Sequence, residues 1–468
     1  MVEKICLIFP PALLFLFALL IVCAKPAYAA ELEVGEDQPF KTISSALGEA
    51  NNGDTIKVHP GIYQEKLIID KSVTLESMYL HEATIQGDYD RHVILITSPG
   101  VTIKGFTITA SGQNYLDDDA GIYVKDADGT KIIDNLIEDV LFGIYIDSSD
   151  NTLIENTSIT GLEDRQFTRR GNGIHLYKTK GNTVDGVSIK ETRDGIYFDF
   201  CDYSTVVNSD VSYVRYGLHY MSSDHNTFSH NHFSHNVSGA AVMFSQWIHL
   251  DNNVFEMNTG PRNFGMFFQR VEDSIVENNL FFQNSIGFYA DLSYRNTFQN
   301  NTIIQNDVGM EILGSNWDNE FSENSFIDNL QQVSVNEIRV NDLWYKEGLG
   351  NYWSDYSGID MTKNGIGDTE YRSGTAFEYL MQSYPHMRLF LESPAANMLK
   401  TVDAMFPVLE RAEIVDEYPL MQDPNAQSLA QITTQSSQGI GLLVFCISLV
   451  VVAFWLVVIT RVSRSLRK

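Results

Sequence analysis

Five of the eleven histidines of this 468-residue chain fall within seventeen residues of one segment. The segment, residues 217–236, reads GLHYMSSDHNTFSHNHFSHN and also contains Met221. Its histidines are His219, His225, His230, His232 and His235. Imidazole and thioether groups together are soft ligands suited to Cu(I), whereas a histidine beside an acid can serve in acid–base catalysis. Which chemistry is available depends on where each side chain points, and therefore on the fold.

A repeat of about 22 residues organises most of the chain. A glycine followed by alternating apolar residues recurs at intervals of 22 to 30 residues. These glycines are Gly121, Gly143, Gly173, Gly195, Gly217, Gly239, Gly265, Gly287 and Gly309. Each unit contains short period-2 strands between polar turns and no helical periodicity, which excludes βαβ folds. We therefore predict an all-β fold, a right-handed parallel β-helix of the pectin-lyase type with coils of about 22 residues.

Asparagine recurs about 9, 14 and 19 residues after the glycine, as at Asn226, Asn231 and Asn236. Asparagine tolerates left-handed turn conformations, and stacked asparagine side chains can bond from one coil to the next. We therefore place these residues at the turns between strands. The histidines that accompany them, from His225 to His235, are then predicted to be turn or surface residues.

The two ends of the chain carry segments of a different kind. Residues 1–29 combine Lys4, an apolar run and the pattern Ala27-Tyr28-Ala29, which predicts a cleaved signal peptide. Residues 439–460 form an uncharged apolar run long enough for one transmembrane helix, and residues 461–468 are basic. Under the positive-inside rule, the C-terminus lies in the cytoplasm. We expect a domain on the periplasmic side of the cytoplasmic membrane, anchored by this helix.

Between these ends, residues 30–345 are predicted to form the β-helix with an N-terminal helical cap. Residues 346–422 hold an acidic loop and a helical tail, and residues 423–438 form a polar linker. The net charge of −28 argues against a nucleic-acid partner. Of the four cysteines only Cys201 lies outside the two apolar end segments, so no internal disulfide is expected.

Alternation along each strand predicts which side chains leave the core. Residues one and three positions after each glycine are apolar and face inward, so residues two and four positions after it are expected to face solvent. In successive coils these outward residues are His175/Tyr177, Tyr197/Asp199, His219/Met221, Ala241/Met243 and Phe267/Gln269. Copper contacts are predicted among them at His175, His219, Met221 and Met243. An apolar and aromatic surface that docks a partner through Tyr177, Tyr197 and Phe267 is a compatible interpretation.

Residues 350–372 break the repeat. Asp360, Asn364 and Asp368 match positions 1, 5 and 9 of a Ca²⁺ loop, whereas Tyr371 stands where a bidentate Glu is expected. A calcium site and a metal-free acidic turn both stay open. The tail that follows is predicted to be rich in helix, with Leu399 and Phe406 on apolar faces that contact a membrane partner.

Catalysis on this fold would need converging carboxylates, as in pectate-lyase-like enzymes. The acidic and basic candidates on the face are Asp194, Asp199, Arg193 and Arg215, and no pair of carboxylates is forced to converge. We therefore expect no enzymatic activity. The alternative is a cell-surface β-helix that binds or cleaves acidic polysaccharide, and its sign would be aromatic platforms beside converging acids.

Five segments of the chain resemble the NosD family. They are RRGNGIHLY (169–177), RDGIYFDF (193–200), RYGLHYM (215–221), GNYWSDY (350–356) and FPVLERAEIVDEYPLM (406–421). The resemblance extends over roughly residues 31–421. It implies a non-enzymatic role in assembling the copper centres of nitrous oxide reductase, with an ABC transporter permease and ATPase and a copper chaperone lipoprotein. A membrane anchor departs from the soluble periplasmic form typical of the family, and would tether the protein at the transporter.

Overall fold

A computed structural model of the chain describes residues 29–261, 263–313, 316–335, 341–373 and 414–426, together with residues 384, 393–395, 398–399 and 402. Within these residues three long parallel sheets of 14, 12 and 13 strands are wound from short strands. In each sheet the neighbouring strands come from successive coils, about 22 residues apart. The predicted right-handed parallel β-helix is confirmed.

Each full coil passes through the three sheets in the same order, here named B, A and C. Sheet A comprises Glu31–Val34, Thr55–Val58, Thr74–Ser77, Thr102–Lys104, Lys131–Ile133, Leu153–Glu155, Thr183–Asp185, Thr205–Val207, Thr227–Ser229, His249–Asp251, Ile275–Glu277, Thr297–Gln299, Trp317–Ser322 and Asn341–Leu343. Sheet B comprises Leu67–Ile69, Ile94–Ile96, Ala120–Lys125, Phe142–Asp147, Ile174–Tyr177, Asp194–Asp199, Tyr216–Met221, Ser238–Gln246, Phe264–Glu272, Ile286–Asp291, Val308–Ile312 and Gln331–Val335. Sheet C comprises Gly61–Gln64, Ala83–Gln86, Thr107–Thr109, Leu136–Glu138, Ser158–Thr160, Ser188–Lys190, Asp210–Ser212, His232–Ser234, Val254–Glu256, Leu280–Phe282, Thr302–Ile304, Ser325–Ile327 and Tyr352–Trp353.

The repeated glycines lie at the start of the sheet B strands, where a side chain would clash with neighbouring residues. A Cβ added to Gly217 would lie 2.5 Å from the carbonyl oxygen of Gly239 and 2.7 Å from the Phe233 ring. A Cβ on Gly195 would lie 2.3 Å from Val211 Cγ1. The glycine column therefore lets sheet C approach sheet B closely, and this approach fixes the register of the inward and outward residues that follow.

The repeated asparagines form ladders inside the turns. The main-chain N–H of Asn231 and its Nδ2 both donate to Asn253 Oδ1, at 3.1 and 3.0 Å. Asn253 donates in the same way to Asn279. The same ladder continues through Asn301, Asn324 and Asn351. The predicted bonding between coils is confirmed, and these asparagines are almost completely buried.

The left-handed position of each turn lies one residue before the asparagine and not on it. His225, His230 and His235 occupy these positions with φ values of 58°, 57° and 56°. All three side chains are exposed. They are therefore turn residues on the surface, as predicted, and the asparagine that follows each of them is free to point inward.

His232 differs from the other histidines because it lies on a strand of sheet C between two acids. Its Nδ1 lies 2.8 Å from Asp210 Oδ2 and its Nε2 lies 3.0 Å from Glu256 Oε1. The hydrogen bonds to these two carboxylates raise the pKa of His232 to about 9. Both ring nitrogens are thus occupied, and His232 is an ion-pair residue of the sheet surface.

This raised pKa predicts a loss of stability at high pH. A group whose pKa is higher in the folded protein than its ordinary value near 6.5 stabilises the fold fully below that value, and less as the pH rises through 9. Urea unfolding at several pH values should show that His232→Gln removes part of this decline. His230→Gln, on the exposed turn, is the control. Identical pH profiles for the wild type and His232→Gln would contradict the assignment.

The N-terminal end of the β-helix is covered by the predicted cap. The helix Ile43–Glu49 buries Ile43, Ala46 and Leu47, and Thr42 Oγ1 accepts from the main-chain N–H of Ser45. Two short 3-10 helices, Tyr115–Asp117 and Phe167–Arg169, occur further along in loops.

The C-terminal end is closed by a segment that returns from beyond residue 400. The strand Ile414–Asp416 pairs antiparallel with Tyr371–Ser373, so the tail predicted to be rich in helix contains a strand here. Asp416 is fully buried and accepts from the main-chain N–H of Asn351 at 2.7 Å and from Trp353 Nε1 at 2.9 Å. Sheet C itself ends with Tyr352–Trp353, somewhat beyond residue 345, where the repeat fades in the sequence.

Of the predicted signal peptide, residues 1–29, all but the last residue lie outside the described residues, and so does the predicted membrane anchor, residues 439–460. Among the residues that are described, no helix is long and apolar enough to cross a membrane.

Candidate metal site on the outer face of sheet B

Two columns of side chains run along the outer face of sheet B, in the predicted register. One column pairs Tyr145, His175, Tyr197, His219 and Ala241 across neighbouring strands. The other contains Tyr177, Asp199, Met221 and Met243. Neighbouring strands lie about 4.8 Å apart, so Met221 and Met243 are direct neighbours.

The expectation that these columns face open solvent is wrong for part of the face. Tyr145 is 6% exposed and Ala241 only 2% exposed. Tyr145 belongs to a second apolar cluster, which also contains Ala120, Leu141, Phe142 and Leu162. Leu162 belongs to the interval between Gly143 and Gly173, which is longer than the usual repeat. Alternation predicts only that a side chain leaves the core, because it carries no information about loops that fold back over the sheet.

His219 is held by a buried carboxylate from the preceding coil. Its Nδ1 lies 2.9 Å from Asp194 Oδ2. Arg215 donates to both oxygens of Asp194, from Nε at 2.7 Å and from Nη2 at 2.5 Å. Burial alone would raise the pKa of Asp194, but the hydrogen bonds from His219 and Arg215 outweigh it and leave this pKa below its ordinary value. Asp194 is therefore an ionised group, 2% exposed, that fixes the orientation of the His219 ring.

Tyr197 joins His219 to Met221. Its ring lies 4.4 Å from the His219 ring, measured between centroids, and its hydroxyl donates to Met221 Sδ at 3.5 Å. Burial raises the pKa of Tyr197 to about 12, so the phenol keeps the proton that it donates. Met221 and Met243 are half-buried. The structure thus brings one imidazole and two thioethers onto neighbouring strands, a donor set suited to Cu(I).

His175 lies two coils away from His219, with Tyr197 between them. It packs between the rings of Tyr145 and Tyr197, at centroid distances of 4.3 and 4.6 Å. Burial lowers the pKa of His175 to about 3, which keeps the ring neutral. Asn172 contacts its Nδ1 at 3.3 Å, and its buried Nε2 has no hydrogen-bond partner among the described residues. His175 shares the predicted column but not the immediate surroundings of the two methionines.

The predicted partner contacts occupy different environments. Tyr197 is part of the ring column itself. Tyr177 packs against the second apolar cluster and carries Lys178 over its ring at 4.8 Å, while Phe267 stacks on Tyr289. Leu399 is half-buried, and Phe406 lies outside the described residues. Their role as partner contacts stays a prediction.

The acidic loop is closed by its own side chains. Asp360 accepts from the main-chain N–H groups of Asn364 at 3.2 Å and Gly365 at 2.8 Å, and Asn364 Oδ1 accepts from Ile366. Asp368 Oδ2 accepts from the N–H of Met361 at 2.6 Å. In the part of the chain that the structure describes, no three His, Cys, Asp or Glu side chains form a group able to hold a metal ion. Calcium binding at Asp360, Asn364 and Asp368 stays a prediction.

Exposed aromatic rings line the turn between sheets B and A. His225 stacks between Tyr203 and Trp247, at centroid distances of 4.8 and 4.5 Å. Tyr203 is 63% exposed and Trp247 46% exposed. In this stack Tyr203 and Trp247 each cover one face of the His225 ring.

From the sequence, Asp194 and Arg215 are catalytic candidates, and the contacts of Asp194 with His219 and with Arg215 are not predicted. The signal lies in the repeat itself. Asp194 directly precedes one glycine of the repeat, and Arg215 and His219 lie two residues before and after the next. A buried acid, a fixed cation and an outward histidine on adjacent strands can therefore be found by aligning coils.

Comparisons with known proteins relate the chain to one family. Residues 155–358 match the sequence model of NosD, described as a periplasmic copper-binding protein, which supports an extracytoplasmic location. The probable ABC transporter binding protein NosD of Pseudomonas aeruginosa is 30% identical over 384 residues, which cover 78% of this chain and 88% of the relative. The protein of that name from Stutzerimonas stutzeri is 28% identical over 387 residues, or 79% of this chain and 87% of the relative.

Among solved structures, the catalytic domain of a GH87 α-1,3-glucanase variant in complex with tetrasaccharides is similar to this chain. Its TM-score is 0.54, with 13% identity over 70% of each chain. At this identity the likeness concerns the fold alone. The sequence matches extend over most of the β-helix, including the strands that carry the candidate metal site, and on this evidence the chain belongs to the NosD family.

Proposed function

We propose that this protein is a non-enzymatic extracytoplasmic factor that helps to assemble the copper centres of nitrous oxide reductase. It works with the permease and ATPase of an ABC transporter and with a copper chaperone lipoprotein. The description of the family as copper-binding and the names of the relatives as ABC transporter binding proteins support this role. The structural observation that carries it is the pairing of Met221 with Met243 beside a histidine held by buried Asp194.

The donor set favours copper in its reduced state. Thioether sulfur is a soft ligand that suits Cu(I), whereas Ca²⁺ and Mg²⁺ prefer carboxylate and carbonyl oxygens. Met221 and Met243 lie on adjacent strands, and His219 lies on the same strand face as Met221. Because both methionines are only half-buried, a copper ion can be received from one protein and released to another at this surface.

A role without catalysis is supported by the state of the acid considered as a catalytic candidate. Both oxygens of Asp194 accept hydrogen bonds from Arg215, and one also contacts His219. Asp199, the other acidic candidate, lies five residues further along the same strand, and burial raises its pKa. The two carboxylates therefore occupy separate environments and do not form a converging pair for acid–base work.

Titration with Cu(I) tests the copper role. The purified full-length chain in detergent is titrated against a Cu(I) chelator and compared with Met221→Ala/Met243→Ala. The double variant is expected to bind at least about tenfold more weakly, which corresponds to a loss of about 1.4 kcal/mol of binding free energy. Met257→Ala, a methionine exchange on an exposed turn, is the matched control. Equal binding by the wild type and the double variant would refute the site.

The assembly role requires a separate measurement. Nitrous oxide reductase is produced together with the transporter subunits and either the wild type or Met221→Ala/Met243→Ala, and its copper content is determined. We expect fully metallated reductase with the wild type and depleted reductase with the double variant. Full metallation in the absence of this chain would contradict the proposed function.

A further inference from the structure

We propose that Asp194, itself held by Arg215, is a positioning residue that fixes His219 in the tautomer whose Nε2 is free to bind Cu(I). This inference rests on the copper role proposed above for His219. It adds two residues to that site, neither of which touches the metal. It also identifies the ring nitrogen that the site offers.

The hydrogen bonds around Asp194 determine which nitrogen carries the proton. Arg215 is always charged and donates to both carboxylate oxygens, at 2.7 Å from Nε and 2.5 Å from Nη2. With both oxygens acting as acceptors, the 2.9 Å contact to His219 is completed by a hydrogen on Nδ1. The lone pair of neutral His219 then lies on Nε2. Metal-binding histidines very commonly donate their other ring nitrogen to a carboxylate in this way.

The surroundings of Asp194 restrict the movement of its carboxylate. Its side chain is 3% exposed, against 12% for His219 and 29% for Arg215. Arg215 stacks over the Tyr216 ring at 4.4 Å, and its main-chain N–H donates to the Arg193 carbonyl at 2.7 Å. The Asp194 carboxylate is thus held between the Arg215 guanidinium and the His219 imidazole, and it fixes the orientation of the His219 ring.

The decisive variant is Asp194→Asn, which keeps the shape of the side chain but exchanges one acceptor for a donor. The amide oxygen is expected to take the place of Oδ1 and keep the bond from Arg215 Nε, and the NH₂ group to replace Oδ2 and turn toward His219, with loss of the bond from Nη2. Nδ1 must then accept, so the proton moves to Nε2 and blocks the metal-binding lone pair. An analogous exchange in the serine-protease triad also produces the wrong histidine tautomer.

Two measurements read this change. The ¹⁵N spectrum of the metal-free, full-length chain at a pH of about 8, where ordinary histidines are neutral, should show the His219 tautomer reversed in Asp194→Asn. The dissociation constant for Cu(I) should rise about 10- to 100-fold, as for other outer partners of metal ligands. Asp185→Asn, the same exchange on a strand of sheet A, is the control and should change neither measurement.

The outcomes separate the two proposals. An unchanged tautomer in Asp194→Asn, or a reversed tautomer with unchanged Cu(I) affinity, would overturn the positioning role. If the wild type itself binds no Cu(I), the proposed copper function is refuted. The His219 tautomer then has no role in metal binding. If Asp194→Asn does not fold, Arg215→Gln replaces it. That variant keeps the carboxylate acceptor, so weaker Cu(I) binding with an unchanged tautomer is expected, and unchanged binding would refute the positioning role.

Discussion

Gly217→Ala is expected to lower the free energy of unfolding by roughly 3 kcal/mol, at the upper end of the cost of overpacking a close-packed interior. The added Cβ would lie 2.5 Å from a main-chain carbonyl oxygen of the next coil and 2.7 Å from Phe233. The backbone cannot yield without moving the neighbouring coils, because the glycine column continues on both sides. Urea unfolding of the full-length chain, followed by tryptophan fluorescence, measures the loss.

Gly48 provides the matched control for this exchange. It lies in the helix Ile43–Glu49, and an added Cβ would meet nothing within 4 Å. Gly48→Ala should therefore stabilise the protein by about 0.5 to 1 kcal/mol, since alanine favours the helix. A stability of Gly217→Ala equal to that of the wild type would show that the coils are not packed as described.

Asn279→Leu is expected to cost roughly 4 kcal/mol, because it breaks a ladder in its middle. Asn279 Nδ2 donates to Leu250 O, Glu277 O and Asn301 Oδ1, and its Oδ1 accepts from the N–H and Nδ2 of Asn253. Leucine has a similar volume but leaves these groups unpaired in the interior, at about 1–3 kcal/mol for each group that finds no new partner. Equilibrium unfolding again provides the measurement.

Asn341→Leu tests whether the effect comes from the ladder and not from asparagine as such. Asn341 is exposed on the last strand of sheet A and bonds only to Asp318 among the contacts described. Its replacement should change the free energy of unfolding by less than about 0.5 kcal/mol. Similar losses for Asn279→Leu and Asn341→Leu would contradict a special role for the buried ladder.

The coil could be predicted from the sequence because its determinants are local and repeated. Glycine is required where sheet C approaches sheet B in each coil, and asparagine is required at the buried turns. Alternation along the strand separates inward Leu218 from outward His219. These signals recur about every 22 residues from Gly121 to Gly309, so they indicate the strands of those coils and their register. For the same reason the neighbourhood of Met221 and Met243 was predictable.

The environment of the site was less predictable because it depends on segments that leave the repeat. Tyr115, in a loop more than 70 residues earlier, accepts a hydrogen bond from Arg193 at 2.6 Å, and it packs near Phe142. Such contacts follow no period, so alternation along the strand does not reveal that Tyr145 is buried. The contacts of Asp194 with Arg215 and His219 join side chains of different length on two successive coils. Strand register alone does not determine such contacts.

The asparagine ladder ends at Asp416, and this end determines where further coils could be added to the fold. Each interior asparagine both accepts from the coil before it and donates to the coil after it, but a carboxylate only accepts. Asn351 therefore finds in Asp416 a partner that passes no bond onward. Duplication of a coil between Asn253 and Asn324 would preserve every bond, whereas a coil added beyond Asp416 would receive no hydrogen bond from the carboxylate. Proteins built on this plan can thus lengthen from within, while the terminal segment stays unchanged.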